Sequence, residues 1–340
     1  MKTFEIHGST GDSFICVGET LSNLEKYIPS QNVVLITDTN VKTHYKNQFP
    51  SHPLITLKTG EAIKTLDTVH HIYKKLVEFE VDRSTFIVGI GGGIVCDITG
   101  FAASTYLRGV RFGFVSTTLL SQVDASVGGK NGVNFKGYKN LIGVFNQPEF
   151  VICDPKLLST LPEQEILNGM AEIVKHAAIE DASLFAYLER HSQKALALDI
   201  DVIEKLVYDS IVIKSGIVNQ DELEKGARRK LNFGHTFGHA FEKTAGVPHG
   251  QAVSAGMVTA AALSVKKGQL SVEEAGRIKS LLQGIGLPVT LQAERTRVFD
   301  ALKKDKKRKG NQIYFVLLNG IGNAFVDQIP LKELEALFDN

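Results

Sequence analysis

Short apolar runs rich in β-branched residues alternate with an amphipathic stretch in the first half of the chain. Residues 32–37, 53–57 and 85–88 have the composition of buried strands. Between the second and third runs, apolar residues recur at gaps of three and four, which predicts a helix with one buried stripe. That stripe consists of Ile63, Leu66, Val69, Ile72, Leu76 and Phe79. Strands that alternate with helices favour an α/β fold with a Rossmann-like, doubly wound parallel sheet.

The pattern changes near Leu161, after which helical segments follow one another. Five helices are predicted, at residues 163–179, 203–219, 233–245, 252–267 and 272–282. A late apolar run at residues 313–318 predicts a hairpin strand. We therefore predict an α/β domain at residues 1–158 and a mostly α-helical domain at residues 159–340.

Composition and charge narrow the class of protein. With 340 residues, 43% of them hydrophobic, the chain is expected to be globular, and a net charge of +1 gives no strong field for nucleic acid or an acidic membrane. Cys16, Cys96 and Cys153 fit neither a disulfide framework nor a paired-cysteine zinc site. No signal region and no apolar run of about 18 residues is found. We expect a cytoplasmic protein with neither a nucleic-acid nor a membrane partner.

A glycine-rich loop follows the third predicted strand, with the sequence GIGGGIVCD at residues 89–97. Glycines let the backbone approach a pyrophosphate, and the next helix offers amide donors at its N-terminus. Ile94 occupies the third glycine position of the dinucleotide fingerprint, so an ordinary strand–turn–helix connection remains an alternative. Asp38 follows the first predicted strand, where it could bind a ribose hydroxyl or cap a turn.

Three histidines near residue 240 indicate a metal site. His235 and His239 are four residues apart, so a helix would place both on one face, and His249 opens another helical segment. Such a cluster needs a carboxylate from elsewhere, and the candidate is Glu172, which shares an apolar helix with Lys175. We interpret Glu172 and Lys175 as buried with partners rather than as a surface pair. Hydrogen-bonded core or capping histidines are the alternative.

Residues 117–134 form a polar segment in which two glycines precede Lys130, and Asn140 follows ten residues later. This composition predicts a flexible anion-binding loop, with a purely structural loop as the alternative. Arg108 is an isolated cation with the same two interpretations. The run at residues 303–309 carries six positive charges. Such runs usually form solvated surface, and contact of one of its lysines with a substrate phosphate is the alternative.

Taken together, these segments resemble the 3-dehydroquinate synthase family of the sugar phosphate cyclase superfamily. The matching motifs lie, in order, at residues 60–64, 89–97, 106–112, 117–118, 124–134, 139–140, 171–175, 232–239, 249–250 and 305–307. The resemblance implies a Rossmann-like domain followed by a helical metal-binding domain, tightly held NAD, one divalent zinc or cobalt ion, and a homodimer. Cys96 stands where the family frequently has glycine.

The resemblance also implies residue roles. By position, Glu172, His235 and His249 are the metal ligands, and His239 lies beside the metal. NAD contacts are implied for Asp38, Asn40, Glu61, Lys64, Gly92, Gly93, Asp97, Thr117, Thr118, Lys130, Lys139, Leu157 and Thr160. Substrate contacts are implied for Asp124, Lys130, Asn140, Lys175, Lys214, Glu224, Arg228, Asn232, His239 and Lys306. Arg108 is expected to reach the phosphate site of a neighbouring subunit.

The implied reaction converts 3-deoxy-D-arabino-heptulosonate 7-phosphate to 3-dehydroquinate and phosphate, by transient oxidation, phosphate elimination, re-reduction and an aldol closure. Arg228, with Lys214, suits the substrate carboxylate, because a guanidinium binds carboxylates through a planar fork. Three alternatives remain: a cyclase acting on a neutral sugar phosphate, a metal-dependent dehydrogenase of the glycerol dehydrogenase type, and a non-catalytic binding protein.

Overall fold

The structure, a computed structural model, describes residues 1–292, 294–303, 308–309, 312–330 and 333–334. The chain divides into two compact units. The first contains residues 1–162 and 203–215, and the second contains residues 163–202 and 216–340. The sequence-based division at residue 158 did not anticipate that residues 203–215 belong to the first unit.

Strands and helices alternate in the first unit, which confirms the predicted α/β class. The elements are β1 (Lys2–Gly8), β2 (Gly11–Val17), β3 (Val33–Asp38), α1 (Thr39–Tyr45), β4 (Leu54–Leu57), α2 (Leu66–Glu78), β5 (Phe86–Gly91), α3 (Gly93–Thr105), β6 (Arg111–Ser116), β7 (Lys130–Phe135), β8 (Tyr138–Phe145) and β9 (Phe150–Cys153). The three predicted strands are β3, β4 and β5. The predicted helix is α2, which buries Val69, Ile72 and Leu76 and is capped by the side chain of Thr65.

A seven-stranded sheet forms the centre of the first unit, in the order β1-β2-β9-β6-β5-β3-β4. Only β1 and β2 pair antiparallel, and every other neighbouring pair is parallel. The chain adds β4 on one side of β3 and then returns to the other side for β5, so the strand order reverses between β3 and β5. Ligands of open α/β sheets bind at such a point, outside the carboxyl ends of the strands.

The polar segment after β6 is more ordered than predicted. A π-helical turn at Ser121–Ala125 leads into an antiparallel hairpin of β7 and β8, so residues 130–134 of the predicted flexible loop form a strand instead. Gly132 and Gly143 face each other across the hairpin, and a Cβ on Gly132 would lie 2.6 Å from the carbonyl oxygen of Ile142. These glycines therefore serve close strand pairing rather than flexibility.

Helices dominate the second unit. The elements are α4 (Glu163–Glu180), α5 (Ala182–Leu196), α6 (Ile200–Gln220), α7 (His235–Ala245), α8 (His249–Lys266), α9 (Val272–Ile285), α10 (Arg295–Lys303), β10 (Arg308–Lys309), β11 (Gln312–Leu318) and β12 (Ala324–Pro330). All five predicted helices and the late hairpin strand, β11, are present, and the middle of α6 lies in the first unit. Helix α5 was not predicted. Within the described ranges, no helix has both the length and the apolar character needed to cross a membrane.

Candidate functional site

Two histidines meet where α7 and α8 begin. His235 is the first residue of α7 and His249 is the first residue of α8, and their ring centroids are 5.4 Å apart. The helices approach closely because Gly256 of α8 packs against the backbone before α7, where an added Cβ would lie 2.0 Å from the carbonyl oxygen of Gly234. Gly234 itself has a left-handed φ of 77°, which glycine adopts without strain.

Glu172 of α4 completes a three-residue cluster. Its side chain is fully buried, and its Oε1 atom is 3.4 Å from Nε2 of His235 and 3.4 Å from Nε2 of His249. The ligand atoms of the three residues all lie within 4.8 Å of one another. A tetrahedral metal with bonds of about 2.0–2.1 Å would place neighbouring ligand atoms roughly 3.4 Å apart. One carboxylate and two imidazoles in this arrangement fit a divalent metal ion.

Surrounding groups lie next to the two candidate histidine ligands. Nδ1 of His235 lies 3.2 Å from the carbonyl oxygen of Phe233, and Nδ1 of His249 lies 3.9 Å from Oε2 of Glu242. In each ring the other nitrogen, Nε2, therefore faces Glu172. Carbonyl or carboxylate partners of this kind set the orientation of metal-binding histidines. Sequence reasoning missed Glu242, which lies seven residues after His235 and thus on the same face of α7.

The two oxygens of the Glu172 carboxylate have different partners. Oε1 faces the histidines, whereas Oε2 accepts a hydrogen bond from Nζ of Lys175. Both side chains are buried, which confirms the prediction of a buried pair rather than a surface pair. Burial lowers the pKa of His249, but Glu172 and Glu242 outweigh it and raise the value to about 9. The carboxylates thus create a strongly negative environment that favours a bound cation.

His239 lies beside the cluster. Its ring contacts His235 edge to face, with the centroids 5.5 Å apart, but it is outside the three-residue group. Helical spacing alone would have assigned both histidines of α7 to one metal. The geometry supports the set that the family resemblance implied, with His249 rather than His239 as the third residue.

A single methyl group at the crossing of α7 and α8 is expected to disturb this cluster. Because a Cβ at residue 256 would lie 2.0 Å from the carbonyl oxygen of Gly234 and 2.8 Å from the backbone nitrogen of Gly238, the backbone would have to shift. Gly256→Ala should therefore lower stability by about 1–3 kcal/mol and weaken metal binding about tenfold. Gly276→Ala in α9 is the matched control, since its Cβ would meet nothing within 4 Å. Calorimetry and metal titration would check this. Equal metal affinity in both variants would contradict it.

The residues before α7 form a loop organised by Asp221. Its carboxylate accepts hydrogen bonds from the backbone N–H groups of Lys225, Gly226 and Arg228, at 2.9, 2.6 and 3.1 Å. Burial opposes ionisation here, yet these three donors lower the pKa of Asp221. Sequence reasoning missed Asp221, because its role depends on a loop conformation that has no periodic signal.

Three predicted substrate residues share this loop. The guanidinium of Arg228 is buried and donates to the carbonyl oxygen of Glu222. Nδ2 of Asn232 donates to Oε1 of Glu224 at 2.6 Å, and Glu224 has a left-handed φ of 58°. A non-glycine residue rarely adopts that conformation unless its surroundings impose it. The loop thus brings these three predicted residues into one segment.

In the first unit, the predicted NAD residues gather at the carboxyl ends of adjacent strands. Asp38 ends β3, Gly92 and Gly93 follow β5, and Thr117 follows β6. The backbone N–H of Thr117 donates to the carbonyl oxygen of Gly91 at 3.0 Å, which ties two of these ends together. The positions match the site expected at the reversal of strand order.

The turn after β9 lies at the same edge of the sheet. Tyr45 of α1 donates its hydroxyl to the carbonyl oxygen of Leu157 at 3.0 Å and lies 2.8 Å from Oγ1 of Thr160. Asp38 caps α1, because its Oδ1 accepts from the N–H groups of Asn40 and Val41 at 2.8 and 3.0 Å. The capping alternative for Asp38 is therefore observed, while its contact with a ribose stays a prediction.

The glycines of the loop after β5 are also needed for packing. A Cβ on Gly92 would lie 2.8 Å from Cγ2 of Thr118, and one on Gly93 would lie 2.8 Å from Cβ of Ala125. Close packing explains both glycines, so binding of a pyrophosphate by this loop stays a prediction. Cys96 is fully buried, so its thiol does not face a ligand site. Burial also raises the pKa of this thiol.

Two ion pairs lie in the first unit. Nζ of Lys64 binds Oδ2 of Asp97, with both side chains largely buried. Nζ of Lys214 binds Oδ1 of Asp124 at 2.8 Å and also donates to its carbonyl oxygen. Burial raises the pKa of Asp97, and Lys64 opposes that rise. Each pair joins two residues that the sequence analysis assigned to ligand binding.

The remaining predicted residues lie on the hairpin and at turns. Lys130 begins β7, and Lys139 and Asn140 lie in β8. Asn134 links this hairpin to Glu61, whose Oε1 accepts from Nδ2 of Asn134 at 2.8 Å.

Arg108 is exposed and has a left-handed φ of 67°, directly after Leu107 at 50°. Two consecutive non-glycine residues in this region mark a strained turn. Lys306, the predicted phosphate lysine, lies outside the described residues.

Comparisons with known proteins identify the family of this chain. Residues 54–168 match the family model described as 3-dehydroquinate synthase N-terminal, and residues 169–308 match the one described as 3-dehydroquinate synthase C-terminal. The 3-dehydroquinate synthase of Geobacter metallireducens is 45% identical, over 84% of this chain and 80% of its own.

Solved structures of related enzymes match nearly the whole chain. A 2-deoxy-scyllo-inosose synthase complexed with carbaglucose-6-phosphate, NAD+ and Co2+ is 27% identical, with a TM-score of 0.88 over 99% of both chains. The 2-epi-5-epi-valiolone synthase of Streptomyces hygroscopicus with NAD+ and Zn2+ is also 27% identical, with a TM-score of 0.88 over 99% of this chain and 98% of its own. The family models and the identity to the Geobacter enzyme show that the chain belongs to the 3-dehydroquinate synthase family.

Proposed function

We propose that the protein converts 3-deoxy-D-arabino-heptulosonate 7-phosphate to 3-dehydroquinate and phosphate in the shikimate pathway. It would act as a carbon–oxygen lyase that depends on NAD and on a divalent metal. The observation that carries this proposal is the cluster of the buried Glu172 with the partly buried His235 and His249, whose donor atoms fit a metal ion, in a chain of this family. The substrate is a small molecule, as the names of the related enzymes indicate.

The proposed cofactors are NAD and one zinc or cobalt ion, since related enzymes have been crystallised with NAD+ and Co2+ or Zn2+. Glu172, His235 and His249 would hold the ion, and the carboxyl edge formed by β3, β5, β6 and β9 would hold NAD. When bound, the metal supplies Lewis-acid polarisation of a substrate oxygen, and NAD supplies reversible hydride acceptance, so that no net NADH forms.

The chain's own residues would orient the substrate. The buried guanidinium of Arg228 suits the carboxylate of the sugar acid, because a planar fork binds two carboxylate oxygens at once. Asn232 and Glu224, already hydrogen-bonded to each other, offer a donor and an acceptor to hydroxyls. Lys175 donates a hydrogen bond to Oε2 of Glu172, so that Oε1 is the oxygen left facing the histidines.

A second group of residues would act on the phosphate and the ring hydroxyls. Lys130, Asn140, His239 and Lys306 are proposed to position the phosphate rather than to attack it. The carboxylate of Asp124 would accept a hydroxyl hydrogen bond while Lys214 holds it in place.

An assay of phosphate release tests the proposal. With the heptulosonate phosphate as substrate, phosphate and dehydroquinate should appear in equal amounts, NADH absorbance should not rise, and a chelator should stop turnover. Adding Zn2+ or Co2+ should restore it. Stoichiometric NADH formation would instead indicate a dehydrogenase.

The related inosose and valiolone synthases make a cyclase for neutral sugar phosphates the second candidate. A neutral substrate has no carboxylate for the buried Arg228. Offering glucose 6-phosphate in parallel separates the two candidates, and we expect release of phosphate from the sugar acid only. Release from glucose 6-phosphate alone would favour the second candidate.

We further propose that the enzyme is a cytoplasmic homodimer in which Arg108 reaches the partner's phosphate site. The strained turn at Leu107 and Arg108 supports a functional role for this arginine. Light scattering should give twice the mass of the 37.2 kDa chain, and a monomeric mass in the active enzyme would contradict the proposal.

A further inference from the structure

Gln122 lies in the π-helical turn after β6 and is fully buried. Its Nε2 donates to the carbonyl oxygen of Ser116 and to that of Asp154, each at 3.0 Å. Because both partners are acceptors, only the NH2 end of the amide can face them, so the orientation of the side chain is determined. One buried amide thus bridges two backbone segments that are distant in sequence.

The two bridged carbonyls lie where β6 and β9 end. Ser116 is the last residue of β6 and precedes Thr117, whereas Asp154 follows β9 and precedes the turn at Pro155–Thr160. These strands are parallel neighbours that pair as far as Ser116 and Cys153, and Gln122 adds a hydrogen-bonded bridge between their carboxyl ends. The two segments that follow are those to which we assign NAD contacts.

The same turn also carries Asp124. The backbone N–H of Ser126 donates to the carbonyl oxygen of Ser121 at 3.2 Å, a five-residue bond that widens the helix at this point. Asp124 lies two residues after Gln122 and pairs with Lys214. Widened turns of this type occur frequently at functional sites, because they redirect individual side chains.

We propose that Gln122 is a positioning residue for the reaction. By holding the ends of β6 and β9 and the turn that presents Asp124, it sets both the affinity for NAD and the placement of the Asp124 carboxylate. This inference rests on the proposed function. The side chain of Gln122 donates to two backbone carbonyls, so it acts through the segments that it joins.

The first variant removes both hydrogen bonds at nearly constant side-chain length. We expect Gln122→Met to weaken NAD binding about tenfold and to lower kcat by roughly ten- to a hundred-fold, since small displacements of positioning groups are costly. Ile72→Val is the matched control, because it trims a buried side chain of α2 in the same unit. It should lower the thermal midpoint while leaving NAD affinity unchanged. Binding is measured by titration at a temperature at which all variants are folded.

A second variant, Gln122→Glu, tests the inference even if Gln122→Met does not fold. In Gln122→Glu, the protonated carboxyl group can still donate one hydrogen bond, whereas the ionised group would repel both carbonyl oxygens. Its NAD affinity should therefore fall as pH rises, relative to the parent protein measured at each pH. Rescue at low pH is a result that a purely structural role would not produce.

The outcomes separate the inference from the function on which it rests. If the parent protein binds NAD and releases phosphate, but Gln122→Met and Gln122→Glu match it in both at every pH, the positioning role is wrong. If the parent protein itself fails to bind NAD, the proposed function fails, whatever the variants do.

Discussion

Replacing Glu172 with glutamine is expected to remove the metal and lower turnover by roughly a thousandfold, the scale of losing a principal electrostatic stabiliser. Glu172 supplies the only carboxylate of the described three-residue cluster, and its Oε1 is 3.4 Å from both histidine nitrogens. Glutamine keeps the shape but loses the charge that attracts a cation. It also leaves the buried ammonium of Lys175 beside a neutral group.

The measurement is the metal content of the dialysed protein by mass spectrometry, together with phosphate release from the heptulosonate phosphate. Glu163→Gln is the control, since it makes the same chemical change at an exposed position of the same helix, α4. It should keep its metal and its activity. A folded Glu172→Gln protein with one tightly bound ion per chain and normal turnover would refute the ligand assignment.

The second large effect is expected at the buried ion pair of Lys64 and Asp97. Removing one partner leaves a buried charge without compensation, which costs about 3–5 kcal/mol. We therefore expect Lys64→Met to lower the free energy of unfolding by about 3 kcal/mol and to weaken NAD binding as well. Asp97→Leu should lower the free energy of unfolding by a similar amount, because it leaves the ammonium of Lys64 buried without its partner.

The double variant separates the effect on stability from the effect on NAD binding. When both charges are replaced by apolar groups, the desolvation penalty of each disappears, so Lys64→Met with Asp97→Leu should be more stable than either single variant. NAD binding should not return, because both proposed contacts are gone. Chemical unfolding and NAD titration of all four proteins provide the test. Additive losses of stability would show that the charges do not interact, and restored NAD affinity would remove both residues from the cofactor site.

The elements of this fold were predictable where a local pattern specifies them. The β-branched runs of β3, β4 and β5 and the stripe of α2 are visible in short windows, because strands and helices impose periods on their buried residues. The hairpin of β7 and β8 was not, since its segment KNGVNF has the composition of a loop. It forms a strand because its glycines let two backbones pair closely, which only the partner strand reveals.

In the candidate site, too, some features were predictable from the sequence and others depend on tertiary contacts. The sequence by itself determined which residues could carry the chemistry: histidines at helical spacing, a carboxylate in an apolar helix and a glycine-rich loop after a strand. Their grouping depends on contacts between distant segments. Lys214 and Asp124 are 90 residues apart, and the sequence offered no reason to pair them.

Only the tertiary structure decided which atoms face one another. It brought His249 to 3.4 Å from Glu172, as the family resemblance implied and helical spacing did not, placed Glu242 beside His249, and required glycine at residue 256. Each of these results follows from packing at short range between α4, α7 and α8. A sequence records the chemistry and the local period of a residue, but the distance between two side chains depends on every element that holds them apart or brings them together.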